Sequence, residues 1–267
     1  MSAAFISLGP IDLLIAAGLV VAAAVVSLAL RLGLEGRLAV ASVRTVLQLG
    51  LIGVILEKIF AFDRPLPVIA LLALMILLAG REAASRSSRR YRGILLDAWL
   101  AMTVSCLSVG GIVTEVVVGV TPWYTPQYLI PLLGMILGNS LNGVSLSLDR
   151  LLDHFATRHA EIELRLAFGA SRREALREPL ATAVRTGMVP ILNSMAAAGI
   201  VSLPGMMTGQ ILAGSPPLQA VAYQVVVMFM IAAATAIGAM LVAVAAARRL
   251  VGADGVLELG RIGGGLS

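Results

Sequence analysis

The sequence predicts an all-α protein: a polytopic integral membrane bundle of about seven transmembrane helices with a cytoplasmic coupling elbow. Three observations carry that expectation. Hydrophobic residues make up 59% of the 267 and charged residues only 13%, against about a quarter charged in soluble domains. The apolar residues fall in segments close to the ~20 needed to cross a hydrocarbon core of about 30 Å. The arginines gather in the short stretches between those segments, as membrane topology requires.

The expected spans are residues 11–30, 38–56, 65–79, 95–118, 127–148, 184–203 and 218–247. The first has no basic residue ahead of it and an apolar run longer than a leader's core, so it reads as a span and not as a cleaved signal. The second carries Arg44 and Gln48, four apart and therefore on one face; Arg44 either snorkels to headgroups about two turns away or faces an interior. The third, bounded by Pro65 and Arg81, is short for a crossing and reads as little tilted or partly interfacial. The fourth holds Glu115 near its outer end.

The fifth span, YLIPLLGMILGNSLNGVSLSLDRL, is dense in small and amide residues. Gly134, Gly138, Asn142 and Ser145 recur at spacings of three and four, which suits close helix approach, with Asn139 and Asn142 able to hydrogen-bond across it. The same face reads as packing or as the border of a translocation route. The sixth span holds Asn193 and leads into Pro204, Pro216 and Pro217 among several glycines, a density that breaks helices. A bend or re-entrant turn is expected over 204–214, with Gln210 at the outer mouth. Met206 and Met207, with no cysteine or histidine nearby, read as apolar filler. The seventh span carries Gln224.

Loop charge sets the orientation. Arg31, Arg37, Arg81, Arg86, Arg89, Arg90, Arg92, the segment 151–185 and the tail residues Arg248, Arg249 and Arg261 fall on one side, against Lys58 and Arg64, with Glu57 and Asp63, on the other. The N-terminus is expected outside and the C-terminus in the cytoplasm. Residues 1–267 then read as a single transmembrane domain.

The segment 151–185 is an arginine-rich island whose centre reads EIELRLAFGASRREAL. A helix-forming run stops at Gly169, suited to the left-handed position past a helix end, and Ser171 with Glu174 three places on makes a capping box. Two helical pieces meeting at an elbow would carry force from a soluble subunit into the membrane; an ordinary solvated loop helix is the plainer reading.

Several classes are excluded. The one lysine, Lys58, follows Glu57 and has no glycine-rich phosphate loop before it, so no Walker site is present. His154 and His159 lie in the island, away from Ser140, so that serine has no base at membrane depth. No His-Glu-x-x-His occurs, and the single Cys106 allows neither a disulfide framework nor a cysteine metal cluster. The formal charge of +5 lies in loops between spans, which argues against nucleic acid as a partner. No resident cofactor is expected.

The runs RTVLQLGLIG, IPLLGMILGNSLNG, ELRLAFGAS and LNSMAAAGIVSLPGMMTGQILAG, with the Tyr223–Gln224 pair, resemble the FetB-type permeases. These are membrane subunits of ABC transporters associated with iron export in bacteria, with plant relatives linked to aluminium tolerance. The resemblance implies a permease homodimer in the inner (plasma) membrane, not itself an enzyme, paired with a FetA-like ATP-binding subunit that carries ATP and Mg. It implies that Glu163, Gly169, Ala170, Ser171, Arg172 and Glu174 form the ATPase-coupling elbow. Glu163 stands six residues before Gly169 as in the coupling loop of bacterial ABC permeases, although Leu164 and Arg165 replace two alanines. Arg44, Gln48, Asn139, Asn142, Asn193, Gln210 and Gln224 are the pathway or helix-interface polar residues, and no metal ligand set is identified. The alternatives are an ATPase-independent carrier or channel and a membrane scaffold whose basic loops recruit partners or anionic lipid.

Overall fold

The computed structural model describes residues 9–61, 64–252, 260 and 262–263; Asp63, Arg261 and the first eight residues, used above, lie outside them. The described chain is helical almost throughout, in nine α-helices: α1 (Pro10–Ala29), α2 (Glu35–Ala61), α3 (Pro65–Ser85), α4 (Ile94–Gly111), α5 (Pro126–Thr157), α6 (His159–Ala167), α7 (Arg172–Ala197), α8 (Gly205–Leu212) and α9 (Pro217–Leu250). A π-helical segment, Ile112–Val117, continues α4. A two-residue strand, β1 (Arg90–Tyr91), pairs antiparallel with β2 (Ile262–Gly263). The helices group into two units, Met1–Asp63 with Leu212–Gly214, and Arg64–Ile211 with Ser215–Ser267.

In the first unit α1 and α2 pack as a hairpin. Its turn is held by Ser27, whose hydroxyl accepts from the Leu34 amide at 3.0 Å and donates to Glu35 at 3.0 Å. Ser27 thereby satisfies backbone and carboxylate groups at the helix ends, which a membrane protein cannot leave bare in hydrocarbon.

The second unit is a bundle in which α5 packs on α3, α4, α7 and α9, and α9 also packs on α4 and α7. The α5–α7 contact is backbone against backbone. A Cβ on Gly187 would lie 2.5 Å from the Gly143 carbonyl, and one on Gly143 would lie 2.9 Å from the Gly187 carbonyl and strike Thr235. Close approach of this kind substitutes dispersion for the hydrophobic drive that lipid removes. The expected stripe is used only in part by this packing: Ser145 is buried and a Cβ on Gly134 would lie 3.3 Å from the Met75 methyl. Gly138 has open space where a Cβ would be and Asn142 is exposed, while Ser140, Gly143, Val144 and Ser147 face the core. The small residues of the fifth span lie on more than one face, and only the neighbours decide which face is used.

Among the described residues six helices are long and apolar enough to cross a membrane: α1, α2, α3, α4 with its π-helical continuation, α5 and α9. The sixth expected span, 184–203, falls on α7, which begins earlier, at Arg172, and ends at Ala197. Its first half is charged, which is why it falls short on hydropathy alone. The third span is not short: α3 runs 21 residues to Ser85, because Arg81 ends the apolar run but not the helix. The island 151–185 is no separate loop. It divides into the end of α5, all of α6 and the first half of α7, leaving 158–171 as the elbow.

Candidate functional site

The elbow is built from local sequence. At the end of α6, Gly169 takes φ +88°, its amide donates to Leu166 at 2.9 Å, and the Ala170 amide donates to Arg165 at 3.0 Å. This is the paired closure of a Schellman motif, which a left-handed glycine permits. Two residues on, Ser171 caps α7. Its hydroxyl accepts from the Glu174 amide at 3.4 Å, and its own amide and hydroxyl both donate to the Glu174 carboxylate, at 2.8 and 2.7 Å. The Ser171 hydroxyl and then the Ser171 amide hold the Glu174 carboxyl below its usual range. The expected helix stop and capping box are both present, which turns the chain sharply between two well-terminated helices.

α6 has two apolar faces. Ile162 is buried and lies with Ala175 and Pro179 around a gap of about 100 Å³ between the ends of α5, α6 and α7. On the other face, Leu164 and Phe168 are 57% and 83% exposed, four residues apart and so side by side. Glu163 is exposed beside them. Leu164 and Phe168 were not singled out from the sequence; the signal was an i, i+4 apolar pair on a short helix whose core contacts Ile162 already supplies.

From the elbow, α7 runs 26 residues, or about 39 Å. Arg172 at its start donates to the Ala247 carbonyl at the end of α9 at 3.1 Å. Two residues further, Arg249 Nε donates to both oxygens of Asp97 at 2.8 and 2.7 Å. The Tyr91 hydroxyl donates to the same carboxylate at 2.7 Å. Asp97 is only 3% exposed, so this clasp joins β1, the start of α4 and the end of α9 through a buried carboxylate that needs such partners. Burial first, and the hydrogen bond to Asp97 second, push the Tyr91 hydroxyl above its usual range. Asp149 of α5 ties the same α3–α4 connection down, accepting from the Ser88 amide at 2.8 Å and from the Ser88 hydroxyl.

The remaining expected polar residues do not converge. Arg44 and Gln48 border a shallow recess on α2 with Val40, Val43 and Leu47. Asn142 accepts from Arg86 Nη1 at 2.7 Å, joining α5 to the end of α3. The exposed Asn139 turns its amide back to the Met135 carbonyl at 2.9 Å. Asn193 is exposed on α7. Gln210 in α8 and Gln224 in α9 each hold a buried side-chain oxygen without a hydrogen-bond partner. Among the described residues no three His, Cys, Asp or Glu side chains gather as a metal site.

The chain is similar to the UPF0014 membrane protein slr1647 of Synechocystis, 40% identical over 200 residues that cover 75% of this chain and 77% of that one. It is 34% identical to the protein ALUMINUM SENSITIVE 3 of Arabidopsis thaliana over 228 residues, 82% and 80% of the two chains. It is 30% identical to the probable iron export permease protein FetB of Escherichia coli over 223 residues, 82% and 83%. No solved structure matches. With its residues 10–251 matching the family model, this multi-pass helical membrane protein belongs to the uncharacterised protein family UPF0014.

Proposed function

We propose that the chain is the membrane-spanning permease subunit of an ABC transporter, exporting a metal ion such as iron or a metal-linked solute. A separate FetA-like subunit would bind and hydrolyse ATP with Mg, and the permease would act as a homodimer in the inner (plasma) membrane, N-terminus outside and C-terminus cytoplasmic. The observation that carries this reading is the exposed Leu164–Phe168 pair on a rigidly capped elbow. Apolar side chains at that exposure, on a helix outside the long apolar segments, fit a hydrophobic cleft in a soluble partner. The cargo rests on the name of the FetB relative.

In this reading Glu163, Gly169, Ala170, Ser171, Arg172 and Glu174 shape the coupling elbow. Gly169 and Ala170 close α6, Ser171 and Glu174 start α7, and Arg172 passes displacement of the elbow to α9 through the Ala247 carbonyl. α7 then acts as a lever reaching the far end of the bundle. Exposed amides at membrane depth are unfavourable against lipid, which supports placing Asn139 and Asn193 against a second copy or along the route, as we also assign Arg44 and Gln48.

The test is co-purification of the tagged chain from mild detergent with its ATP-binding subunit, comparing wild type with Leu164→Ser/Phe168→Ser. The expected result is stoichiometric recovery from wild type and loss from the double variant, which still inserts. A homo-oligomer free of any ATPase, or transport in liposomes without one, would overturn the reading in favour of an ATPase-independent carrier or channel.

A further inference from the structure

Within the second unit, at the end of α7 remote from the elbow, a cavity of about 380 Å³ opens between the close of α7, the turn that follows it, α8 and the first turns of α9. Gln224 projects from α9 to line it and is 7% exposed, with its side-chain oxygen buried and unpartnered. An unsatisfied buried acceptor is costly and is retained where something else satisfies it.

The surrounding chemistry indicates what that would be. Every electron-rich feature of the wall is uncharged: the Gln224 oxygen, the thioethers of Met195, Met207 and Met228, and the ring of Phe229. No lining residue is charged. Such a wall attracts positive charge through dipoles, sulfur and a ring face, while offering no carboxylate for a hard metal ion. The size argues against a bare ion of any kind. A water molecule takes about 30 Å³, so one cation would leave most of this cavity empty, whereas pockets of ~300–1,000 Å³ hold small organic molecules.

We propose that this cavity binds a lipophilic monovalent organic cation, its apolar body against the methionines and Phe229 and its charge at the Gln224 oxygen. The inference goes beyond the transport reading and needs no ATPase, so either can fail without the other.

The experiment uses the purified full chain in lipid nanodiscs and measures equilibrium binding of radiolabelled tetraphenylphosphonium, with empty nanodiscs as blank. Tetraphenylborate, the same shape with opposite charge, and silver ion serve as competitors. Saturable binding is expected, with tetraphenylborate failing to compete. Gln224→Leu should weaken binding at least tenfold while leaving the unliganded protein as stable as wild type or more so, since it removes an unpaired acceptor. Gln224→Glu should tighten binding of the cation, which keeps the test decisive should the leucine variant misfold. No saturable binding, equal competition by tetraphenylborate, or unchanged affinity in both variants would overturn the proposal. Displacement by silver that disappears in Met195→Leu/Met228→Leu would also overturn it, making the cavity a soft-metal site.

Discussion

The elbow and the Asp97 clasp are both charged and meet at the same end of the bundle, yet they are made in opposite ways. The elbow is a surface device: Ser171 and Glu174 are three residues apart, exposed, and satisfied by each other and their own backbone. The clasp joins residues 152 apart, and its carboxylate is buried. A local motif holds its shape whatever surrounds it, whereas a buried pair exists only once the helices have docked. In the function proposed above, that difference gives them different work, the elbow presenting a fixed shape to a partner and the clasp holding α4 to α9.

The largest effect expected from breaking this contrast is at the clasp. Arg249→Leu leaves the buried Asp97 carboxylate without its cation and should lower stability by about 3 kcal/mol, the lower end for a buried pair because Arg249 is 40% exposed. Thermal unfolding in detergent would measure it, and a change under 1 kcal/mol would reduce the clasp to a surface ion pair. At the elbow, Gly169→Val forces a β-branched residue to φ +88°, a strain of about 1–2 kcal/mol. Because a Cβ there meets open space, Gly169→Asn should be tolerated. On the proposed function, the valine variant should insert normally and lose ATP-dependent export; undiminished export would remove the elbow from the proposed coupling route.

Smaller effects sharpen the comparison. Tyr91→Phe removes one of the hydrogen bonds to Asp97 and should lower stability by about 1 kcal/mol. Ser171→Ala should destabilise the start of α7 by about 1 kcal/mol or less, seen as faster hydrogen exchange over 172–175 with no change in global melting. The smallest effect is one of pH. The folded Glu174 carboxyl is held low by Ser171, so its contribution is present at neutral pH and is lost as pH falls below about 4 through the lowered value. Protection from exchange at the start of α7, taken relative to the intrinsic rate at each pH, should fall in acid in wild type and lose that pH dependence in Glu174→Gln.

What could be read in the sequence followed from locality. Gly169 and the Ser171–Glu174 box are visible as a string because their hydrogen bonds close within a few residues, and long apolar runs announce membrane helices by length alone. The boundaries were harder. α3 passes Arg81 and α7 starts at Arg172 because helices continue through charge wherever the side chain can reach water, so hydropathy understates them. The prolines and glycines after the sixth span predict a bend over 204–214, whereas the chain leaves α7 earlier, at Ala197, and Gly205–Leu212 form a short helix, α8.

The candidate site divides in the same way. The helix stop at Gly169 and the Ser171–Glu174 box were legible, but Leu164 and Phe168 were not, since an apolar residue in a helix is ordinary until the fold shows that none of the described residues covers it. By itself the sequence determined the class of the protein, a many-spanning helical membrane chain, and the local geometry of the elbow, because bilayer thickness and backbone hydrogen bonding act on short stretches. Only the tertiary structure decided which face of α5 meets Gly187, that Asp97 pairs with Arg249, and that Gln224 ends unpartnered in a cavity, because each depends on which distant helix arrives opposite.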